Sequence, residues 1–420
     1  MAVSAMAVTA AAAAERPHTW GDHALDVARI GAIFTLVAST MSTAATSVGS
    51  AVFVLAVLSS GRMHYVVRDG WHSLAGKAVL AFAGWVLVSG LWSAVDMGAA
   101  LRDFWAWRKL LFLFLVLPLF TEAAWKHRAL VTLFYVSAVA VALSFVSIAM
   151  HVQFRHGEPG VMGIVLTNHS AQGITFAIAA AAGFYLATEA RGARRWIYAA
   201  IAAALVLNVL FFGQGRTAYL AIVGITLCWA VLRGGVRYVT VASMALVVLL
   251  ASAYAFSPTF HGRVMKGWHE LQAASAPLKG ETSIGVRVVF ARNTLALIAE
   301  RPLFGYGLGS FKPVYAGYVD ARSSGFDALH AGDPHNQYLY VVFEQGLIGL
   351  AIFLGMMITL FRSFPRDPYG HLAACALTAW IIGCLFNSHF RTFPEGHFYA
   401  LAIAILGATA AGRARVSDHH

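Results

Sequence analysis

The chain has 420 residues, of which 59% are hydrophobic and only 12% are charged. An ordinary soluble domain carries about 25% charged residues, so this composition excludes a soluble enzyme. Backbone polar groups inside a bilayer must be satisfied within their own element, and the apolar runs here are continuous instead of alternating as barrel strands do. The composition therefore predicts an all-α polytopic membrane protein.

The net charge of +11 comes from 30 Lys and Arg against 19 Asp and Glu, and it raises the question of a nucleic-acid partner. Most of the basic residues that lie in short loops fall in alternate loops, for example 62–77, 191–195 and 233–237. This asymmetry follows the positive-inside rule and predicts that both termini are cytoplasmic. The charge is mainly a topology signal, so we expect no nucleic-acid partner.

Taken in chain order, the apolar runs predict about twelve transmembrane helices. Residues 1–14 are rich in alanine but lack a positive n-region, so we do not interpret them as a cleaved signal peptide. The run 30–61 has a break rich in Thr, Ser and Gly and predicts two short helices joined by a tight turn. Residues 1–256 are expected to hold nine helices, and 338–420 three more with a short cytoplasmic tail.

Residues 257–337 interrupt this pattern with charges of both signs. A long polar loop in a compact membrane protein is more often functional than idle. Within it, 282–300 is predicted to form a helix that ends before Pro302. We therefore predict one large, mainly helical loop on the outer side of the membrane.

His335 begins the segment that leads into the tenth predicted span. Asp333 suits an N-cap and Pro334 suits the first helical position, which places His335 in the first turn. A helix N-terminus disfavours the imidazolium, so we expect a neutral ring that can accept a proton. A capping or interface histidine without chemistry is the alternative interpretation.

Glu344 lies deeper on the same predicted helix. Helix geometry places it roughly 13 Å from His335 along the axis and about 180° around it, so the two are not expected to act as a pair. Glu344 is more simply a clamp on a neighbouring helix, although an intramembrane carboxylate is also a functional candidate. His335 lies on the same face of the predicted helix as Gly346 and Gly349, which predicts close packing against another helix.

Two arginines lie on the predicted outer side. Arg287 points in the same direction as the apolar face of helix 282–300, so it either snorkels at the bilayer surface or is directed into a pocket at an anion, which we favour. Arg216 lies in a very short outer turn, where the commoner role is an interfacial anchor. Together with a neutral histidine, the arginines would suit transfer from a membrane-bound diphosphate, with guanidinium groups for the phosphates and a base for an incoming hydroxyl.

The segment Gly305–Phe311 is not a dinucleotide fingerprint, because no strand precedes it and no helix is evident after it. It is predicted to form a tight turn that returns the loop to the membrane, or alternatively to offer amides to phosphate. Other outer residues are individually more simply caps or interface residues, but they could line one cavity. They are Asn168, His169, His389, Arg391 and His397.

Arg287, the segment Gly305–Phe311 and the segment His335–Leu350 occur in this order in the long outer loop before the last three predicted spans. In this respect the chain resembles the O-antigen ligase and polymerase superfamily, and within it the O-antigen ligases of lipopolysaccharide assembly. The resemblance implies a metal-independent glycosyltransferase without a cofactor, in a Gram-negative inner membrane, with its large loop and active site on the periplasmic face. Its partners would be undecaprenyl-diphosphate-linked O-antigen as donor, lipid A–core oligosaccharide as acceptor, and membrane lipid.

Roles implied by the resemblance make His335 the base and assign diphosphate binding to Arg287 and Arg216. The implied reaction is a direct displacement that inverts the anomeric centre. As further substrate-binding candidates we take the residues around this outer constellation. They are Asn336, Tyr338, Arg391, His389, Asn168, His169, Gly305 and Gly307.

Three rival functions remain. O-antigen polymerases share the donor but tend to carry an outer Arg-x10-Gly pattern, and no outer arginine here is followed by glycine at that distance. Protein O-oligosaccharyltransferases usually extend beyond the last span. A polytopic transporter would place charged or helix-breaking residues at the midplane of several spans, where only Glu344 clearly qualifies.

Overall fold

The computed structural model describes residues 19–154, 161–213, 215–273, 282–322 and 328–409. These residues form helices joined by turns, and no strand occurs among them. In chain order the α-helices are α1 (Trp20–Ala38), α2 (Thr43–Ser59), α3 (Met63–His72), α4 (Leu74–Val88), α5 (Met97–Phe104), α6 (Lys109–Val116), α7 (Ala123–Met150), α8 (His169–Glu189), α9 (Ala193–Phe211), α10 (Arg216–Arg233), α11 (Val236–Phe256), α12 (Pro258–Ala273), α13 (Ser283–Glu300), α14 (Phe311–Arg322), α15 (Gln337–Ser363), α16 (Pro368–Gly383) and α17 (Phe393–Gly407).

Within the described ranges, seven helical segments are long and apolar enough to cross a membrane. They are α4 with its following 3₁₀ turn to Trp92, α7, α8, α9, α10, α11 and α15. The pair α2 and α3, bent by 102° at a short break, would make an eighth. The all-helical, multi-pass architecture expected from composition is therefore confirmed, while the number of twelve spans stays a prediction.

The centre of the bundle is α17. Its residues from Glu395 to Gly407 are all buried, as expected for a helix that is apolar on every side. The opposite case is α11, in which only Leu246 and Ala253 are buried. The apolar surface of α11 therefore faces outward, where a bilayer would cover it.

The polar region 257–337 supplies α12, α13 and α14, so its described part is mainly helical. The helix predicted over 282–300 is confirmed. Thr282 is its N-cap and accepts a hydrogen bond from the Gly285 amide at 3.0 Å. These helices carry polar side chains toward one end of the bundle, where α10 and α15 begin.

A break inside α15 was not expected. Gly346 has φ 71° and ψ −177°, and the amide of Leu347 donates to the carbonyl of Pro302 at 2.8 Å. A Cβ atom on Gly346 would overlap the carbonyl oxygen of Leu303. The prediction that His335, Gly346 and Gly349 share one continuous helix face is therefore wrong, because the chain around Leu303 inserts at the break.

Candidate active site

His335 lies just before α15 instead of in its first turn. The N-cap is Asn336, whose Oδ1 accepts from the amides of Tyr338 and Leu339 at 2.9 and 3.0 Å. The predicted cap at Asp333 is therefore wrong. Its carboxylate instead accepts from the His335 amide at 2.7 Å, and His335 adopts a left-handed conformation with φ 49°.

The ring of His335 is oriented by side chains from two other segments. Its Nδ1 lies 3.4 Å from Asn387 Oδ1 and 3.6 Å from Asp333 Oδ1. Both are acceptor oxygens, so the hydrogen-bond network assigns the neutral ring's proton to Nδ1 and leaves the Nε2 lone pair available. Phe290 stacks on the ring with centroids 5.8 Å apart, and the His335 side chain remains 42% exposed.

Asp333 ties this histidine to the turn between α16 and α17. The same Oδ1 that accepts from the His335 amide also accepts from the Ser388 hydroxyl at 2.8 Å. Asn387, which faces the ring, is the neighbour of Ser388 in that turn. The position of His335 thus depends on contacts between segments that are distant in sequence.

Arg287 lies on α13, one helical turn before the Phe290 that stacks on His335. Its Nη1 donates to Ser283 Oγ at 2.8 Å, whereas its buried Nε has no acceptor within the described residues. Because residues three apart share a helix face, Arg287 lies on the side of α13 on which Phe290 contacts His335.

Arg216 is the first residue of α10 and pairs with a carboxylate that the sequence did not suggest. Its Nη1 lies 3.1 Å from Oε2 of Glu270, which is on α12 and only 4% exposed. Burial lowers the pKa of Arg287, the charge of Arg216 lowers it further, and Glu270 raises it. Arginine still stays protonated at physiological pH, so the Glu270 carboxylate is paired with one guanidinium charge and acts on a second one.

Asn168 and His169 border the same end of the bundle. Asn168 caps α8 by accepting from the Ala171 amide at 2.7 Å, and its Nδ2 donates to Glu395 Oε1 at 3.2 Å. His169 lies against Gly215, the residue before Arg216: a Cβ there would sit 3.5 Å from His169 Cδ2. Asn168 is therefore engaged in capping, and His169 backs the turn that positions Arg216.

His389 is fully buried behind this site. Neither ring nitrogen has a hydrogen-bond partner within the described ranges. Burial lowers the pKa of His389, against the opposing effects of the Glu395 and Asp333 carboxylates. The ring is thus held neutral in the interior, and its predicted substrate-binding role stays a prediction.

Arg391 is already paired inside the protein. Its Nη2 donates to Asp103 Oδ1 at 2.6 Å, and its Nη1 lies 3.9 Å from Glu344 Oε1. The guanidinium carbon also sits 4.4 Å from the ring centroid of Tyr340. These contacts give Arg391 a structural explanation that its position in the sequence did not suggest.

Glu344 holds the glycine-rich segment. Its Oε1 accepts from the amides of Gly309 and Phe311 at 3.1 and 3.4 Å and from the Tyr340 hydroxyl. The Gly307 amide donates to the Glu344 carbonyl at 2.8 Å. These amides are bonded to protein groups, which favours the turn interpretation of Gly305–Phe311 over phosphate binding. Glu344 therefore clamps this loop together with the first residue of the neighbouring helix α14.

The remaining candidates pin α15 to the end of α16. The Asn336 Nδ2 donates to the Leu385 carbonyl at 3.0 Å, and the Tyr338 hydroxyl donates to the Ile381 carbonyl at 2.9 Å. The amide of Gly305 donates to the Arg301 carbonyl at 3.1 Å.

Within the described part of the chain, no group of three or more His, Cys, Asp or Glu residues is placed to hold a metal ion.

Several residues of the site were missed from the sequence, namely Glu270, Phe290, Asn387, Ser388 and Asp103. Glu270 is one acidic residue among many charges in 257–337, and only its burial distinguishes it. Asn387 and Ser388 precede His389 directly, so the polar run 387–389 was the available signal.

Comparison with known proteins points to the same part of the chain. Residues 201–354 match the O-antigen ligase family, and this range contains Arg216, Arg287 and His335. An uncharacterised protein of Haemophilus influenzae is 29% identical over 90 residues, which cover 21% of this chain and 23% of that protein. The chain therefore spans less than a quarter of the length of this curated relative.

Proposed function

Because residues 201–354 match the O-antigen ligase family, we propose that the chain moves O-antigen from undecaprenyl diphosphate to a hydroxyl of lipid A–core oligosaccharide. The reaction would take place at the periplasmic face of a Gram-negative inner membrane. The proposal is supported most by the stacking of Phe290 on His335, which brings α13 and its Arg287 to the histidine, and by the electrostatic effect of Arg216 on Arg287.

His335 is the base in the proposed step. The acceptor hydroxyl oxygen attacks the anomeric carbon, and its proton passes to Nε2 of His335. The bond between that carbon and the diphosphate oxygen breaks, and its electron pair leaves with the diphosphate. The Asp333 carboxylate and the Asn387 carbonyl near Nδ1 stabilise the imidazolium that forms, and attack opposite the leaving group inverts the anomeric centre.

Arg287 and Arg216 stabilise the leaving group. Negative charge grows on the diphosphate as the bond breaks, and guanidinium groups match phosphate oxygens with paired donors. Their half-buried position strengthens this effect relative to water, because the local dielectric constant is lower. A diphosphate leaves as a stable anion, so the step needs no general acid.

The test is reconstitution of the purified chain with lipid-linked O-antigen and two competing acceptors, lipid A–core and a second lipid-linked glycan. We expect glycan on lipid A–core, detected by product size and lipid identity. Elongation of the lipid-linked glycan instead would identify a polymerase. Transport of the donor without any glycan transfer would contradict the enzymatic proposal.

A further inference from the structure

Glu270 is the buried carboxylate at the arginine pair. Its Oε2 accepts from Arg216, while its buried Oε1 has no donor within the described residues. Arg287 likewise has an unsatisfied polar atom, because its Nε is buried without an acceptor within the described residues. Buried polar atoms are normally satisfied, so an unused acceptor on Glu270 and an unused donor on Arg287, whose charges act on one another, are unusual for a purely structural ion pair.

The charges at this place do not balance among these three groups. Arg216 and Arg287 lie close enough to affect one another, and Glu270 contributes one negative charge against their two positive charges. A diphosphate carries more charge than a carboxylate and has enough oxygens to accept from both guanidinium groups. It would also meet strong repulsion from a Glu270 carboxylate that stayed in place.

We propose that Glu270 competes with the donor diphosphate for Arg216, which weakens diphosphate binding and promotes release of the product diphosphate. This inference rests on the proposed function, since its ligand is the lipid diphosphate. The carboxylate leaves Arg216 when the diphosphate enters and returns after transfer. A purely structural ion pair would instead predict weaker diphosphate binding when Glu270 is neutralised, because Arg216 would lose its orientation.

The experiment measures binding of inorganic pyrophosphate to the purified full chain in detergent by calorimetry. Glu270→Gln keeps the size of the side chain and an acceptor oxygen but removes the charge. We expect about tenfold tighter binding than in the wild type, equivalent to about 1.4 kcal/mol. Glu270→Ala is a second variant that should change affinity in the same direction.

Glu300→Gln is the matched control. It makes the same change in net charge at the other end of α13, about 20 Å from Arg287 by helix geometry. Its affinity for pyrophosphate should equal that of the wild type. Adding Arg216→Ala to Glu270→Gln should remove the gain, which locates the competition at Arg216.

Two failures can be told apart. Equal or weaker pyrophosphate binding in folded Glu270→Gln and Glu270→Ala proteins overturns the competition while the proposed donor site stands. If neither the wild type nor either Glu270 variant binds pyrophosphate, the proposed diphosphate site is itself overturned, and the inference with it.

Discussion

His335 owes its orientation to side chains and not to a helix N-terminus. The left-handed backbone at φ 49° is an uncommon conformation for a residue with a side chain, and the Asp333 carboxylate holds it through the backbone amide. Such strain is found most often at functional sites. The same carboxylate approaches Nδ1, so backbone and ring positions are set together.

His335→Ala should lower the rate of glycan transfer by about 10²- to 10⁴-fold, the usual contribution of a general base. Transfer to lipid A–core by the reconstituted protein is the measurement. His330→Ala is the control, because His330 is an exposed histidine of the same region that pairs with Asp320. Wild-type transfer by a folded His335→Ala protein would exclude the base assignment.

Arg287→Lys tests whether the guanidinium fork matters beyond its charge. Lysine keeps the charge but cannot donate in parallel to two phosphate oxygens, so we expect at least about a tenfold loss of transfer, and about 10²- to 10³-fold for Arg287→Ala. Arg292→Lys, on the far side of α13, should change little. Equal loss in both lysine variants would point to a general effect on α13.

His389 predicts acid sensitivity of the folded state. Its pKa is lowered by burial, so the neutral ring stabilises the fold fully above the unfolded pKa of about 6.5, and this contribution is lost as the pH falls below that value. His389→Phe should flatten the dependence of the melting temperature on pH between about 7 and 5. An unchanged pH profile would show that other groups control the acid response.

At the scale of helices, apolar runs and capping residues predicted much of the secondary structure. Competition between nearby capping residues limited the prediction of where a helix begins. The helix after Thr282 was predictable because one good cap precedes one apolar face. The start of α15 was not, because Asp333 and Asn336 are both good caps and the choice between them depends on Ser388, far away in sequence. The break at Gly346 depends on the inserted chain at Leu303, which no local pattern reveals.

Gly346→Ala should destabilise the protein by about 3 kcal/mol or more, since it combines a positive φ with overlap against the Leu303 carbonyl. Gly355→Ala is a matched control on the same helix, with no atom within 4 Å of the added Cβ. That change should be neutral or slightly stabilising, because alanine favours helix. Thermal unfolding in detergent compares the two. Similar melting temperatures would contradict the observed break.

At the scale of the whole molecule, the sequence predicted a membrane bundle and proposed candidate site residues, but it did not predict the contacts that hold those residues. His335, Arg287 and Arg216 could be proposed as candidates because charged or titratable groups are conspicuous beside apolar runs. Glu270 and Asp103 were not, because the functional meaning of an acidic residue in a polar loop depends on what lies across from it in space. The pairing of such residues is a property of the assembled bundle.

Asp103, Arg391 and Glu344 form a network, partly exposed at Asp103 and Arg391 and fully buried at Glu344, that joins α5, the turn before α17, and α15. Removing Glu344 takes the acceptor away from the buried amides of Gly309 and Phe311 and from the Tyr340 hydroxyl, so Glu344→Ala should cost about 3 kcal/mol. Glu344→Gln keeps an acceptor for the amides of Gly309 and Phe311 and should cost less. Because Glu344 is on α15, the helix that directly follows His335, both variants should also reduce transfer. Melting temperature and transfer measured on one preparation separate these effects: a drop in stability with full transfer in the remaining folded protein would show that the network supports the fold without positioning the site.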